Sequence, residues 1–444
     1  MRRFAPVFFF VLVLGSSGAT AAPVPPPSLT MIESDVPIVM DRVEARFYRT
    51  VTYQAMLDAE RQAIDAYLHS RGVTAELPAA PDPRGPATAH QDALRQLDFA
   101  LAHYGGHVDS RTLAYVAIKG LAGGAHDQYT AYLTPDEYRA FNDVMAPERF
   151  AGIGTIIQTD PATEYISLFD VLPDGPAYLA GLQQDDVLVS IDGHDTKGMT
   201  IAQASKLLRG KAGTDVTLDV RRSDGEHSIT IERGYVAPST VVKHLLPNNV
   251  AYVAISVFGE RTADEFDRAL SELTKHGASA FVLDLRDNTG GYVDAALQVA
   301  AKFIATGPIV STETRGGHFE TIFGDNEAIA SHPMVILANG NSASASEIAI
   351  GALQDSGVAR VVGTRTFGKG VMQEVYALPD GAAVKVTYAK YFTPKNRDIN
   401  HIGIAPDLSV QENDKPAFGT PAQDAQLRAA LAMLSGAERL SSAP

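Results

Sequence analysis

Two different rhythms of apolar and polar residues divide the chain. Up to about residue 145, apolar positions recur every three or four residues, which is the period of a helix with one buried face. After Phe150, short apolar runs end in turn residues and alternate with short helical stretches. The pattern therefore predicts a helical first region followed by mixed α and β structure. The predicted helices of the first region span 36–71, 91–104, 110–121 and 135–145.

Beyond residue 150 the pattern predicts two units. The first, up to about Val236, has short strands, two short helices and a hairpin over TDVTLDVRR and HSITIER. In the second, the apolar runs VAYVAISVF, AFVLDLR and PMVILA each precede a helical stretch, which predicts a parallel sheet covered by helices. Two later strands, 370–377 and 383–391, flank a PDG turn, and a helix at 422–434 closes the chain.

The first 22 residues, MRRFAPVFFFVLVLGSSGATAA, have the composition of a secretory signal. Two arginines precede an apolar run at 7–14, which is too short to span a bilayer well, and Ala19-Thr20-Ala21 fits the small-residue cleavage rule. An uncleaved membrane anchor is the alternative. We expect cleavage after Ala21 and export to the periplasm or the medium as a soluble protein.

The composition of the chain argues against several classes of partner and of active site. The formal net charge of −15 disfavours nucleic acid and anionic membranes as the main partners. The chain has no cysteine, so cysteine proteases and thiolate metal sites are excluded. The twelve histidines form no ligand-like pair, and no metal or other cofactor is expected.

A row of small hydroxyls, NSASASEI, stands where the apolar strand PMVILA gives way to a helix. Ser344 and Glu347 have capping-box spacing, which makes Ser344 the expected N-cap residue. Backbone N–H groups at a helix start also stabilise anions, including a tetrahedral oxyanion. The pattern therefore leaves two readings open, a plain cap and a nucleophile.

A nucleophilic serine needs a base, and Lys369 in GTRTFGKGVMQEV is the candidate. Lowering a lysine pKa close to 7 costs about 4 kcal/mol, which burial can impose. Gln373 stands between valines on one strand face and could hold the lysine, provided the chain bends at Gly370, because a straight strand would separate the two by about 13 Å. The alternatives are a surface lysine in a glycine-rich turn and an edge-strand glutamine.

The stretch around Lys369 is also a near miss for a phosphate-binding loop. Gly370 follows the lysine in place of Ser or Thr, and a strand is expected next rather than a helix. Both departures make a phosphate-loop ATPase the weakest of the candidate functions.

Taken in order, the segments from about Leu113 to Asp407 resemble the C-terminal processing peptidases, also called tail-specific proteases, which are serine–lysine endopeptidases with a PDZ domain. AIKGLAGGAHDQYTAYLTPDEY resembles the family's lead into the PDZ unit, and GPAYLAGLQQDDVLVSIDG its central stretch. The remaining matching segments are FAGIG, LDLRDNTGG, NSASASEI, TFGKGVMQ and YFTPKNRDINHIGIAPD.

The resemblance implies roles residue by residue. Ser344 would be the nucleophile, Lys369 the general base and Gln373 the group that orients the lysine. Backbone N–H groups of Ala345 and of the turn formed by Gly290 and Gly291 would form the oxyanion hole. In the PDZ domain, N–H groups of Gly152, Ile153 and Gly154 would bind the C-terminal carboxylate of a substrate.

The resemblance also implies the organisation of the chain. We expect an α/β multi-domain protein with a helical N-terminal region, an α+β PDZ domain and a mixed α/β catalytic core with a parallel sheet, similar to the crotonase and ClpP folds. The expected divisions are 1–21 signal, 22–149 N-terminal region with a proline-rich break at 76–90, 150–237 PDZ domain, 238–410 peptidase core and 411–444 C-terminal helix and tail.

Two departures from the family stand out. Asp185 and Asn396 replace usual glycines, and both residue types tolerate the left-handed conformation. The expected function is an exported endopeptidase that binds proteins or peptides with free, apolar C-termini. A catalytically silent PDZ scaffold or chaperone on the same fold is the alternative. An adaptor or activator, and a homo-oligomer formed through the N-terminal helices, remain open.

Overall fold

The computed structural model describes residues 27–79, 82–147, 149–160, 163–172, 175–324, 328–329, 332–411 and 423–441. The predicted secretory signal, residues 1–21, lies outside the described residues. None of the helices in the described ranges combines the length and the apolarity that a bilayer span requires.

The described N-terminal region is helical, as predicted, but the expected helix at 36–71 is two helices. Phe47 ends the first of them in an extended conformation, and the Thr52 hydroxyl caps the second by accepting the Ala55 N–H. A threonine cap beside β-branched Val51 favours this break over a continuous helix. The elements are α1 (Leu29–Glu33), α2 (Asp35–Arg46), α3 (Tyr53–Ser70), α4 (Pro86–Tyr104), α5 (Ser110–Gly123), β1 (Ala131–Leu133) and α6 (Pro135–Met145).

The next unit is an antiparallel sheet with two short helices. Its strands run in the order β3-β4-β5-β7-β8, and β6 pairs with β5, so that β3 lies at an edge, close to α8. A separate two-stranded ladder joins β2 to β9 at the base of the unit. The elements are β2 (Phe150–Gly152), β3 (Thr155–Thr159), β4 (Ile166–Val171), α7 (Pro176–Leu179), β5 (Val187–Ile191), β6 (His194–Asp195), α8 (Ile201–Leu208), β7 (Asp215–Arg222), β8 (Gly225–Glu232) and β9 (Gly234–Val236).

The C-terminal part is built on the predicted parallel sheet, in the order β10-β11-β12-β15-β16-β19, with β10 as an antiparallel edge. Helices α9, α10 and α11 cover one face of this sheet, and α12 packs on the other. The elements are β10 (Val241–Leu246), β11 (Val250–Ile255), α9 (Thr262–Lys275), β12 (Ala280–Asp284), α10 (Val293–Ala301), β13 (Pro308–Thr314), β14 (His318–Phe323), β15 (Met334–Ala338), α11 (Ala345–Asp355), β16 (Ala359–Gly363), β17 (Val371–Ala377), β18 (Ala383–Phe392), β19 (Leu408–Ser409) and α12 (Ala425–Ser441).

A second sheet joins the helical region to the core. Its order is β1-β18-β13-β14, and β17 pairs with the other edge of β18. Side chains of β18, including Val384 and Val386, share one apolar cluster with Val36, Met40 and other residues of the N-terminal helices. The hairpin that follows Lys369 is therefore backed by the N-terminal region. Sequence patterns predicted its strands β17 and β18 but not β1, β13 or β14, because the β13–β14 hairpin lacks a strong apolar alternation.

The architecture confirms the expected fold class, with a helical first region, an α+β unit and a mixed α/β core. The two positions where glycine was expected are both left-handed, Asp185 with φ 66° and Asn396 with φ 57°. Their short polar side chains tolerate that conformation, in line with the expectation that the substitutions do little harm.

Candidate active site

The three serines of NSASAS have different surroundings. Ser342 and Ser346 are fully buried, and their hydroxyls donate to the carbonyls of Leu285 (2.7 Å) and Asn288 (2.8 Å). Ser344 is only half-buried; its hydroxyl oxygen faces the Glu347 N–H in capping-box geometry, and its hydroxyl hydrogen is donated to no group among the described residues. Of the three, only the Ser344 hydroxyl is therefore available for chemistry.

The backbone of Ser344 is strained. As the N-cap of α11 it has φ 57° and ψ −119°, whereas a serine cap normally adopts an extended conformation. This region is unfavourable for residues other than glycine and persists only where the surroundings enforce it. Here the Ser344 carbonyl accepts a hydrogen bond from the Tyr391 hydroxyl (3.1 Å), and its N–H donates to the Glu347 carboxylate (3.0 Å). The turn therefore presents the Ser344 side chain at the start of the helix.

Glu347 ties this turn to the lysine loop. One of its carboxylate oxygens accepts the N–H groups of Ser344 (3.0 Å) and Lys369 (2.8 Å). The other accepts from the Gly368 N–H (2.7 Å) and the Thr366 hydroxyl (2.5 Å). Burial raises the Glu347 pKa, and these four hydrogen bonds oppose that rise. The capping-box glutamate thus fixes two backbone segments relative to each other.

Lys369 is half-buried beside an aromatic ring. Its ammonium lies 4.9 Å from the centroid of the Tyr129 ring, on the loop after α5. Burial is the main cause that lowers the Lys369 pKa to about 8, and the charge of Lys385 acts in the same direction. The carboxylates of Glu347 and Asp127 act against this lowering. A substantial fraction of neutral amine is therefore present in mildly alkaline solution.

The loop that carries Lys369 has a glycine on each side of the lysine. Gly368 has φ 89°, and a Cβ there would lie only 2.7 Å from the Gly403 nitrogen. A Cβ on Gly370 would lie 2.7 Å from the Asn400 nitrogen. The two glycines let the loop pack closely against residues 399–403 before β17 begins.

Gln373 lies opposite Thr387 across the β17–β18 ladder, next to a register shift. Its side-chain amide donates to the Thr387 hydroxyl (3.5 Å), which in turn donates to the Asp127 carboxylate (2.5 Å). Within the described ranges, no hydrogen bond joins the side chains of Ser344, Lys369 and Gln373. Catalytic hydrogen bonds are often absent or long in ligand-free enzymes and tighten when a substrate binds.

The glycine turn after β12 lies against Ser344. A Cβ on Gly290 would come within 2.8 Å of the Ser344 Cβ and 3.0 Å of the Ala345 nitrogen, so only glycine fits here. The Gly290 N–H is engaged by the side-chain oxygen of Asn288 (2.9 Å). The N–H groups of Gly291 and Ala345 have no acceptor among the described residues. They are the donors that the turn leaves open beside the serine.

Near β2, the FAGIG loop leaves donors open in a similar way. Gly154 has φ 80°, and the carbonyls of Ile153 and Gly154 accept the N–H groups of Ala177 (2.7 Å) and Leu172 (3.0 Å). The N–H groups of Ile153 and Gly154 have no acceptor in the described part of the chain. Gly152 pairs with Gly234 in the β2–β9 ladder.

Helix α8 has buried residues that pack in the core of this unit and an exposed residue on the side near β3. Ala204 and Leu208 are buried in the core, and Leu207 is partly buried against it. Ile201 is 40% exposed. The helix thus presents Ile201 to solvent, and the free edge of β3 runs beside it.

Four residues around the lysine were not singled out from the sequence: Asp127, Tyr129, Lys385 and Thr387. Asp127 and Tyr129 lie in HDQYT, and only the resemblance of that segment to a family pattern drew attention to it. Lys385 and Thr387 sit in an ordinary strand pattern. Among the described residues, no group of three or more His, Asp or Glu side chains is placed to hold a metal ion.

The chain is similar to several known proteins. The model of "Peptidase family S41" matches residues 249–410, and that of "PDZ domain" matches residues 170–222. The carboxyl-terminal-processing protease of Picosynechococcus sp. is 37% identical over 332 residues, covering 73% of this chain and 80% of the relative. The namesake from Synechocystis sp. is 35% identical over 335 residues, covering 74% and 78%. A solved structure of a photosystem II D1 C-terminal processing protease aligns with 26% identity and a TM-score of 0.46, covering 87% of this chain and 94% of that one.

Proposed function

Because the chain belongs to peptidase family S41 and is a serine-type C-terminal processing peptidase with a PDZ domain, we propose that Ser344 is its nucleophile and Lys369 its general base. The observation that carries this proposal is the single Glu347 oxygen that bonds the backbone of Ser344 and of a lysine whose pKa is lowered to about 8. Gln373 orients the lysine, and no cofactor takes part.

The reaction follows from these positions. Neutral Lys369 removes the hydroxyl proton of Ser344 as the Ser344 Oγ attacks the scissile carbonyl carbon. The oxyanion is stabilised by the N–H groups of Ala345 and of the Gly290–Gly291 turn, where Gly291 supplies the open donor. The protonated lysine then gives its proton to the leaving amine, and an acyl-enzyme on Ser344 remains.

Hydrolysis completes the cycle. Neutral Lys369 takes a proton from water as the water oxygen attacks the acyl carbon. The second oxyanion collapses, the bond to the Ser344 Oγ breaks, and the proton returns to that oxygen. The products are two shorter chains and unchanged enzyme.

The PDZ domain selects the substrate in this proposal. The open N–H groups of Ile153 and Gly154, next to Gly152 in the FAGIG loop, bind a C-terminal carboxylate. The substrate tail adds as a strand to the free edge of β3, and its apolar last side chain lies against α8 near Ile201. Protein or peptide tails with apolar ends are therefore the preferred substrates.

The proposal also includes export of the protein. It divides the chain into a PDZ domain at 150–237 and a peptidase core at 238–410. It is compatible with an adaptor protein and with homo-oligomers formed through the N-terminal helices. The N-terminal sequence of protein from the periplasm or medium tests export, since cleavage after Ala21 gives a chain that begins at Ala22. A chain that still begins at Met1 contradicts it.

Digestion of casein by wild type and by Ser344→Ala tests the chemistry. We expect Ser344→Ala to lose all measurable turnover and to fold, because removing a plain cap costs only about 1 kcal/mol. Ser346→Ala, in the same turn, is the matched control and should keep activity within about tenfold. Turnover by purified Ser344→Ala would rule out the assignment. A wild type that binds tails but never cuts would favour the silent scaffold.

A further inference from the structure

The side chains behind Gln373 determine which way its amide points. Thr387 is fully buried on β18, and its hydroxyl donates to the Asp127 carboxylate at 2.5 Å. A threonine hydroxyl has one hydrogen, and an ionised carboxylate can only accept. The Thr387 hydrogen is therefore committed to Asp127, and its oxygen can only accept a further hydrogen bond.

Gln373 consequently has one favourable orientation. Its NH2 group must face the Thr387 oxygen, which lies 3.5 Å away, because the amide oxygen would there meet another acceptor. With the NH2 group on the Thr387 side, the carbonyl oxygen points the opposite way. An outward carbonyl can accept a hydrogen bond from a lysine ammonium, whereas a flipped amide would present donors to it.

Asp127 is itself held firmly. Its carboxylate oxygen also accepts the N–H and the hydroxyl of Thr130, both at 2.9 Å, and the Thr130 hydroxyl accepts the Thr387 N–H at 3.1 Å. Tyr129, between these two residues, places its ring under the Lys369 ammonium. A four-residue segment after α5 therefore contacts both the lysine and the residue behind Gln373.

We propose that Asp127 and Thr387 are positioning residues of the peptidase reaction, which orient the Gln373 amide so that its oxygen is presented to Lys369. This inference rests on the proposed function, because it acts through Gln373 and Lys369. It makes the loop at the end of the helical N-terminal region part of the catalytic apparatus, more than 200 residues before the nucleophile in sequence.

The charges around Lys369 give the proposed positioning role a second measurable effect, which is a change in the Lys369 pKa. The groups that face Lys369 are Lys385, whose charge lowers the lysine pKa, and Glu347 and Asp127, whose charges raise it. Removing the Asp127 charge should therefore lower the Lys369 pKa further. A residue that served only packing would leave that pKa where it is.

The decisive pair of variants is Thr387→Ser and Thr387→Val. Serine keeps the hydroxyl and loses a methyl group, whereas valine keeps the shape and the β-branching and loses the hydroxyl. We expect Thr387→Val to lower kcat by about 10²-fold with little change in KM, since misorienting a catalytic group costs about that much. Thr387→Ser should stay within about threefold of wild type. A role in packing alone predicts the reverse order, because valine preserves the shape of threonine.

Asp127→Asn supplies a readout that does not depend on turnover. In an inactive Ser344→Ala background, NMR titration of the lysine side chains, with Lys369 assigned from its loss in Lys369→Arg, should give a lower Lys369 pKa when Asp127→Asn is added. In the active enzyme the acidic limb of kcat/KM should move to lower pH. Both readouts remain available if the valine variant fails to fold.

The outcomes separate this inference from the proposed function. Equal kcat for Thr387→Val and Thr387→Ser, or an unchanged Lys369 pKa in Asp127→Asn, overturns the positioning role, and the nucleophile assignment still stands if Ser344→Ala is inactive. An active Ser344→Ala overturns the proposed function instead. A loss of kcat in Thr387→Val but not in Thr387→Ser, together with a lowered Lys369 pKa in Asp127→Asn, supports the positioning role.

Discussion

The turn at Ser344 and the FAGIG loop near β2 are both short segments with backbone N–H groups that have no acceptor among the described residues. Around Ser344 the space is closed, since Gly290 would collide with the serine if it carried a Cβ. Around Gly154 a Cβ would make only ordinary van der Waals contacts, the nearest with a Val236 side-chain carbon at 3.4 Å. One segment is confined by its neighbours, and the other opens onto an edge strand and an exposed isoleucine.

This difference matches two kinds of task. Acyl transfer needs reacting groups fixed within a fraction of an ångström, so the strained Ser344 backbone is held by Glu347 and Tyr391. Recognition of varied tails needs an unpaired strand edge and an adaptable apolar contact, which β3 and Ile201 offer. Changes in the first segment should therefore lower kcat, and changes in the second should raise KM.

Lys369→Arg tests the confined segment around Ser344. Arginine keeps the positive charge but is not deprotonated at working pH, so it cannot act as a base. We expect kcat to fall about 10²–10⁴-fold, measured with a fluorogenic peptide. Lys390→Arg on β18 is the matched control. If Lys369→Arg keeps more than about a tenth of wild-type activity, the lysine acts only through its charge.

Replacing a glycine by alanine in each segment tests the difference between them. Gly290→Ala would place a Cβ 2.8 Å from Ser344, so we expect kcat to fall by at least about 10²-fold for every substrate. Gly154→Ala has room for its Cβ but must adopt φ 80°, which costs about 1–2 kcal/mol. It should raise KM for substrates with a free tail and leave kcat nearly unchanged. A similar kcat loss in both variants would remove the distinction between the segments.

The sequence predicted those structural features that leave a pattern among neighbouring residues. The capping box marked the start of α11, and Asp185 and Asn396 indeed occupy left-handed positions. It did not predict the strained backbone of Ser344, because a capping box normally implies an extended cap. Nor did it predict that Asp127 meets Thr387, since that contact joins residues 260 apart and leaves no local pattern. Long-range packing decides both.

Amidating the C-terminal carboxylate of a substrate should weaken its binding at the FAGIG loop, with a smaller effect on activity than the changes above. Amidation of a cleaved peptide's C-terminus removes one negative charge and little else. A charge-assisted hydrogen bond contributes about 1.5–3 kcal/mol, so kcat/KM should fall at least about tenfold, mainly through KM. Equal cleavage of the free and amidated peptides would show that the FAGIG loop does not bind the terminus, and the PDZ domain would then need another role.

The smallest effect concerns stability, because burial of the Lys369 charge should lower the free energy of unfolding. Lys369 has a pKa of about 8 in the fold against 10.5 ordinarily, so the folded protein binds fewer protons than the unfolded chain between those values. Stability should therefore rise with pH across this window, and below pH 8 the buried charge disfavours folding. Lys369→Met should be inactive yet about 2 kcal/mol more stable at pH 7, and this gain should vanish near pH 10.5. Denaturant titrations at both pH values, with Lys390→Met as the control, measure it. A gain of the same size at both values would mean that methionine only packs better, and that burial of the lysine does not oppose folding.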